Sequence, residues 1–221
     1  MLPLRMTLKE GDFVRIHFTG FTADDNEVFD TTKEEVAKQH GLETGNVDFA
    51  PLVACVGKGH LLKGLDDALV GKKCPSTFRI TLAPEHAFGK KKADHIKLMP
   101  LKVFHKQGIQ PQPGLDVTID GVRGRVKSIS GNRVVVDFNN PLSGRAVEYE
   151  VDVLEVVDDV TEQAKTVVSR LLRFDAPVTV QEQQATVTLP FELPKEIQET
   201  ITKEVVDSTP ITSVHFEKAK A

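Results

Sequence analysis

The sequence holds only two cysteines, Cys55 and Cys74, among 221 residues. That is too few for a disulfide framework, so both read as reduced, structural thiols. No apolar run approaches the length of a bilayer span. The Met-Leu-Pro-Leu-Arg-Met start lacks the apolar core and small-residue cleavage site of a secretory leader. A reducing, cytoplasmic setting with no membrane partner is therefore expected. A basic excess is missing too. The formal net charge is −4, which argues against a general nucleic-acid binder. The seven histidines include no pair at close metal-ligand spacing, and there is no C-x-x-C, so no metal centre is expected. Gly57-Lys-Gly59 is too short for a phosphate loop, and nothing resembles a nucleophile elbow. No cofactor is expected.

What is present is an ordinary globular composition, 40% hydrophobic and 27% charged, long enough for one large domain or two to three small ones. Val14, Ile16 and Phe18 alternate onto one face, the period of a half-buried strand. Asp24, Asp25 and Asn26 give a turn, and residues 33–41 a short helix stopped by Gly41. After an apolar run at 51–57, Leu61, Leu62, Leu65, Ala68 and Leu69 fall at helical spacing before Gly71. Phe78, Ile80 and Leu82 alternate again, as do Val147, Tyr149, Val151 and Val153. Between Gly89 and Phe138 the texture changes: three lysines, then Pro100, Pro111 and Pro113, then three strand-like runs with a Gly131-Asn132 hairpin signal. This reads as a small β-rich module inserted in a larger domain. Beyond Thr161, periodicity predicts an αββαβ unit, with Ala164, Val167, Val168, Leu171 and Leu172 on one helix face.

Taken singly, the apolar and aromatic residues at strand ends read as core. In order and spacing they match one pattern. Val14-Arg-Ile-His-Phe-Thr-Gly20 resembles the opening strand of the FKBP isomerase domain. Val28-Phe29-Asp30-Thr-Thr32 is similar to its Phe-Asp-Ser motif, and Val56–Leu65 to its helix entry. Ala83-Pro-Glu-His-Ala-Phe-Gly89 resembles its Pro-x-x-Ala-Tyr-Gly loop. Asn140-Pro-Leu-Ser-Gly144 with Val147–Val156 looks like the closing segment of the SlyD branch. Residues beyond about 160 resemble the C-terminal extension of long archaeal FKBPs.

The resemblance implies an α+β fold: an antiparallel sheet wrapped on a short helix, an inserted β-rich domain and a C-terminal α+β domain. The expected boundaries are 1–89 with 139–158 for the isomerase domain, 90–138 for the insert and 159–221 for the C-terminal domain. It also implies peptidyl-prolyl cis/trans isomerase activity toward unfolded or partly folded proline-containing polypeptides. Asp30, Phe29, Phe18, Leu62, Phe88 and Tyr149 carry over as catalytic residues. Leu52, Leu61 and Leu65 carry over as substrate-binding residues. In the SlyD branch the insert binds unfolded polypeptide, which nominates Val103, Phe104, Ile109 and Leu115; the same four also suit the module's own core. Asp30 equally suits a turn-starting residue bonded to nearby backbone N–H groups. Phe18 and Phe88 stand where the family has tyrosine, and Leu65 where it has the floor tryptophan. Those departures keep open a second reading, a holdase without catalysis. A homodimer through the C-terminal domain is a further expectation.

Overall fold

The computed structural model describes residues 6–42, 44 and 49–219. The elements run β1 (Met6–Thr7), β2 (Phe13–Thr22), β3 (Val28–Thr31), α1 (Glu34–Gln39), β4 (Leu52–Cys55), α2 (Lys63–Leu69), β5 (Lys73–Cys74) and β6 (Ser76–Leu82). Then come β7 (Ile96–Pro100), α3 (Leu101–Lys106), β8 (Asp116–Ile119), β9 (Val122–Ser130) and β10 (Arg133–Asp137). The chain ends with β11 (Val147–Val156), α4 (Val160–Leu172), β12 (Val178–Gln181), β13 (Gln184–Leu189), α5 (Lys195–Ser208) and β14 (Ser213–Lys218). They fall into two compact units, one joining the chain up to Leu82 to Val147 onward, the other Ala83–Ala146.

The main sheet of the first unit has the order β3-β2-β11-β6, with β4 also paired to β2. One long edge of β2 is shared: β4 takes Phe13–Ile16 and β3 takes Thr19–Phe21. Phe18 falls in the gap, where its backbone bonds to Thr32 instead. Strand alternation sorts the two faces. Val14, Ile16, Val151 and Val153 are buried on the inner face, and α2 packs there against β6 through its buried Leu65 and Leu69 side. The outer face carries ion pairs such as Arg79 with Glu148 and Glu150 at 3.0 and 2.8 Å. Exposed pairs of this kind contribute little to stability.

The αββαβ unit forms as its periodicity predicts. Asp159 caps α4 by accepting from the Glu162 N–H at 3.0 Å, a contact that contributes about 1 kcal/mol. In its sheet β12 runs antiparallel and β14 parallel to β13. Val167 and Val168 of α4 and Ile201 and Val205 of α5 are buried in one cluster with Val178, Ala185, Val187 and Leu189. The same cluster takes in Phe13, Cys55 and Val157, with Val53 packed against it. The core of the C-terminal residues is therefore continuous with the outer face of β2 and β4. Arg15 adds a polar tie, reaching Glu155 at 2.7 Å and Glu162 of α4 at 2.8 Å.

The second unit is built on an antiparallel sheet of order β7-β10-β9-β8. Gly131-Asn132 makes the β9–β10 hairpin turn, as the sequence suggested. Four strands stand where three were expected, and α3 was not anticipated. Pro100 ends β7 and also sits at the N-cap of α3. A helix of six residues is too short to display a 3.6-residue period. Among the described residues no helix is long and apolar enough to cross a membrane.

Candidate active site

The site begins with an irregularity in β3. Gly20 pairs with Asp30 but Phe21 pairs with Val28, so Phe29 is the extra residue of a bulge. The bulge lets Phe29 and Asp30 both turn toward the inner face of β2. Across the sheet, Asp30, Gly20, Tyr149 and Ile80 form one row of direct partners. Gly20 is what keeps that row open. A Cβ there would lie 2.7 Å from Phe29 Cζ and 2.9 Å from Tyr149 Cε1.

Tyr149 is the centre of the cluster, at 3% exposure. Phe18 meets it edge-on with ring centroids 5.9 Å apart, and Phe29 does so at 5.8 Å and 89°. Edge-to-face pairs of this kind add about 1 kcal/mol beyond the area they bury. Phe18 and Phe29 are only half-buried, so each keeps ring surface for another molecule. Burial, and next the charge of Asp30, raise the Tyr149 phenol well above its ordinary pKa. Its hydroxyl stays a neutral group close enough to feel the carboxylate.

Asp30 is exposed, yet burial by neighbouring protein atoms raises its pKa, opposed by a backbone hydrogen bond from Thr31. The two observations fit a carboxylate on a rim, crowded on one side and wet on the other. Because water reaches it, its charge stays partly screened. The Thr31 contact is the turn-type bond that the sequence also allowed.

The helix entry is fixed from below. Asp66, buried in α2, accepts from the N–H groups of Gly57 and Gly59 at 2.9 and 2.8 Å. Gly57 has φ +76°, which suits glycine. This loop delivers Leu61 and Leu62, both half-buried. The Leu62 carbonyl accepts the first bonds of α2, from Leu65 and Asp66, while its own N–H has no partner among the described residues. Leu65 is 2% exposed and serves as core beneath the entry rather than as a contact surface. Leu52, opposite Ile16 on the same face, is 39% exposed.

The remaining candidates lie in the second unit. Phe88 is half-buried there, and the Ser143 hydroxyl donates to its carbonyl at 3.1 Å. Phe104 needs correction as a substrate contact. It is 0% exposed, at the heart of a cluster with Val117, Ile119, Val126, Val134 and Val136, because a sheet this small needs its largest side chain to close its own core. Val103 and Ile109 are half-buried against the same cluster. Leu115 is 39% exposed, and Leu98 and Val122 more so at 55%. Sequence reasoning did not nominate Leu98 and Val122, nor Gly20 and Ile80 in the first unit. Ile80 had a signal in its alternation with Phe78 and Leu82; a glycine has no side chain to nominate it.

A family model for FKBP-type peptidyl-prolyl cis-trans isomerase matches residues 5–105. A probable FKBP-type 16 kDa peptidyl-prolyl cis-trans isomerase of Pseudomonas fluorescens is 32% identical over 52% of this chain and 82% of its own length. The chain belongs to the FKBP-type peptidyl-prolyl cis-trans isomerases. A second family model, FKBP26, IF domain, matches residues 97–142 of this FKBP-type isomerase. A short-type peptidyl-prolyl cis-trans isomerase of Methanocaldococcus jannaschii is 27% identical over 67% of the chain and 94% of its own length. The isomerase SlyD of Vibrio cholerae is 33% identical over 52% of the chain and 58% of its own length.

Proposed function

We propose that this isomerase turns X-Pro bonds in the cleft walled by Phe18, Phe29, Leu62 and Tyr149, and that its insert holds unfolded client chains nearby. The observation that carries the first part is the ring cluster around Tyr149, kept open by Gly20 and flanked by Asp30. An X-Pro bond rotates over tens to hundreds of seconds across a barrier near 20 kcal/mol. Its twisted transition state has lost amide resonance, so charge recedes from the carbonyl oxygen toward nitrogen. A site that withholds water favours that less polar state. A thousandfold gain requires only about 4 kcal/mol. Proline seats against Phe18, Phe29 and Tyr149, with Leu61 and Leu52 extending the wall. The Leu62 N–H, without a partner among the described residues, holds a substrate carbonyl. Asp30, raised in pKa but still wet, orients the rotating amide, and Phe88 is assigned to catalysis by the family resemblance alone.

The insert, residues 90–138, is the chaperone-like part in this reading. Leu98, Leu115 and Val122 are its exposed apolar contacts, and linkage raises the concentration of captured proline segments at the cleft. The C-terminal domain, residues 159–221, follows the long archaeal type. A homodimer through it has to use surface other than Val167 and Val168, which are buried. Two free, buried cysteines suit a cytoplasmic setting. In a proline tetrapeptide assay, micromolar enzyme should accelerate cis-to-trans conversion; no acceleration would leave the holdase. Removing residues 91–137 behind a short linker should spare tetrapeptide turnover and cripple refolding of a proline-limited protein. Equal refolding by the truncated form would remove the chaperone part.

A further inference from the structure

We propose that the second unit selects its clients by charge, taking acidic stretches of extended polypeptide into a cationic groove on its sheet. This rests on the reading that the insert collects client chains, and it adds which chains.

The first observation is the distribution of charge. Residues 83–146 hold eleven Lys and Arg against five Asp and Glu, a net of +6. The rest of the chain holds seventeen against twenty-seven, a net of −10. A modest total of −4 thus conceals one strongly basic unit.

The second observation is where the charge is free. A groove of about 600 Å³ lies on this unit, with Val117 and Val126 among its walls and Lys91, Arg123, Arg125 and Lys127 along it. Two acids also line it, and both are already matched. Asp116 receives both donors of Arg125, at 2.6 and 2.9 Å. Asp137 is 9% exposed, accepts from Asn139 and lies 3.6 Å from Lys91. Arg123 and Lys127 are exposed and form no ion pair among the described residues. The groove therefore carries four cations against two acids, a net of +2.

The third observation is what else the unit exposes. Leu98, Leu115 and Val122 reach solvent, although Val122 and Arg123, adjacent in β9, face opposite sides of the sheet. A basic unit that also exposes aliphatic side chains suits a polypeptide carrying both carboxylates and apolar residues. It suits a nucleic acid poorly. Single strands are held largely by stacking bases on presented aromatic rings, and this unit has no Trp or Tyr. Its Phe104 is fully buried, and Phe88 and Phe138 are half-buried, Phe138 over Gly124. The −10 on the remainder also opposes a long polyanion.

The test uses the full chain and labelled, unstructured peptides that share one apolar, proline-containing centre and differ in their flanks: Glu, Ser or Lys. Fluorescence anisotropy should rank them Glu, then Ser, then Lys. The gap between the extremes should be about tenfold at low ionic strength and shrink as salt shortens the Debye length below about 8 Å. The variant R123E/K127E, checked by its melting temperature, should lose the preference. If it does not fold, the salt dependence of the wild type decides alone. Equal binding of all three peptides would overturn the charge selection while leaving a client-collecting insert. No peptide binding, together with full refolding activity after removal of 91–137, would remove the underlying reading as well. A single-stranded RNA of matched length binding more tightly than the Glu peptide would overturn the proposal in favour of a nucleic-acid partner.

Discussion

Two antiparallel sheets in this molecule treat their aromatic residues in opposite ways. In the sheet of the first unit, Phe18 and Phe29 stay half-buried around Tyr149. A bulge and a glycine hold them apart instead of letting them close on one another. In the second unit, Phe104 of α3 is wholly buried against the sheet, and the exposed strand residues include Lys97, Arg123, Arg125, Lys127 and Arg133. The difference follows from size. The first sheet packs α2 on its inner face and the C-terminal core on part of its outer face, so it can leave these rings under-packed. The small sheet uses Phe104, with Phe138 packed beside it, for cohesion and presents charge and isolated aliphatic side chains instead.

The comparison can be broken most sharply at Phe104. Phe104→Ala should cost the second unit about 3–5 kcal/mol by leaving a cavity, seen as faster hydrogen exchange across 96–137. Tetrapeptide turnover should survive, because the ring cluster lies in the other unit. Loss of turnover in step with the unfolding of 96–137 would show that the two sheets are not independent in function. Gly20→Ala is the counterpart in the first unit. Its added methyl meets Phe29 and Tyr149 below 3.0 Å, and overpacking of this kind costs about 1–3 kcal/mol. Turnover should fall while client binding by the insert persists; a variant with normal turnover would mean that Phe29 moves without consequence.

A third prediction concerns pH. His60 Nδ1 accepts from the Cys55 N–H at 3.1 Å, and Nε2 is buried without a partner among the described residues. Burial, then the charge of Arg170, lower its pKa to about 4 from 6.5. The unfolded chain thus binds more protons between those values. The stability is fully present above the unfolded pKa and is lost as pH falls from 6.5 toward 4. The urea midpoint should drop between pH 7 and pH 5 by the equivalent of at most about 2 kcal/mol. His60→Gln should flatten that slope; an unchanged slope would assign the acid sensitivity elsewhere.

Much of this was legible in the sequence, for reasons that differ by region. The αββαβ unit was readable because its helices are long enough to show their period and its strands alternate. Phe29, Asp30 and Tyr149 were nominated by resemblance, and the alternation of Val147, Tyr149, Val151 and Val153 placed β11. The bulge at Phe29 was not readable, since register between β2 and β3 is a property of the pair. Phe13 was hidden as well. It lies on the polar side of β2 by alternation, and only the arrival of the C-terminal core makes that position buried. Phe104 was left between client contact and module core because α3 was not seen, and that helix is what turns its side chain inward.

The most direct test is cis-to-trans turnover of a proline tetrapeptide at pH 7 by the wild type, Phe29→Ala and Asp30→Ala. If water exclusion by the ring cluster and orientation by the rim carboxylate drive rotation, Phe29→Ala should lose about tenfold or more. Asp30→Ala should lose less while melting no lower than the wild type, since burial disfavours that charge. Wild-type rates retained by both variants would contradict the assignment of catalysis to this cleft.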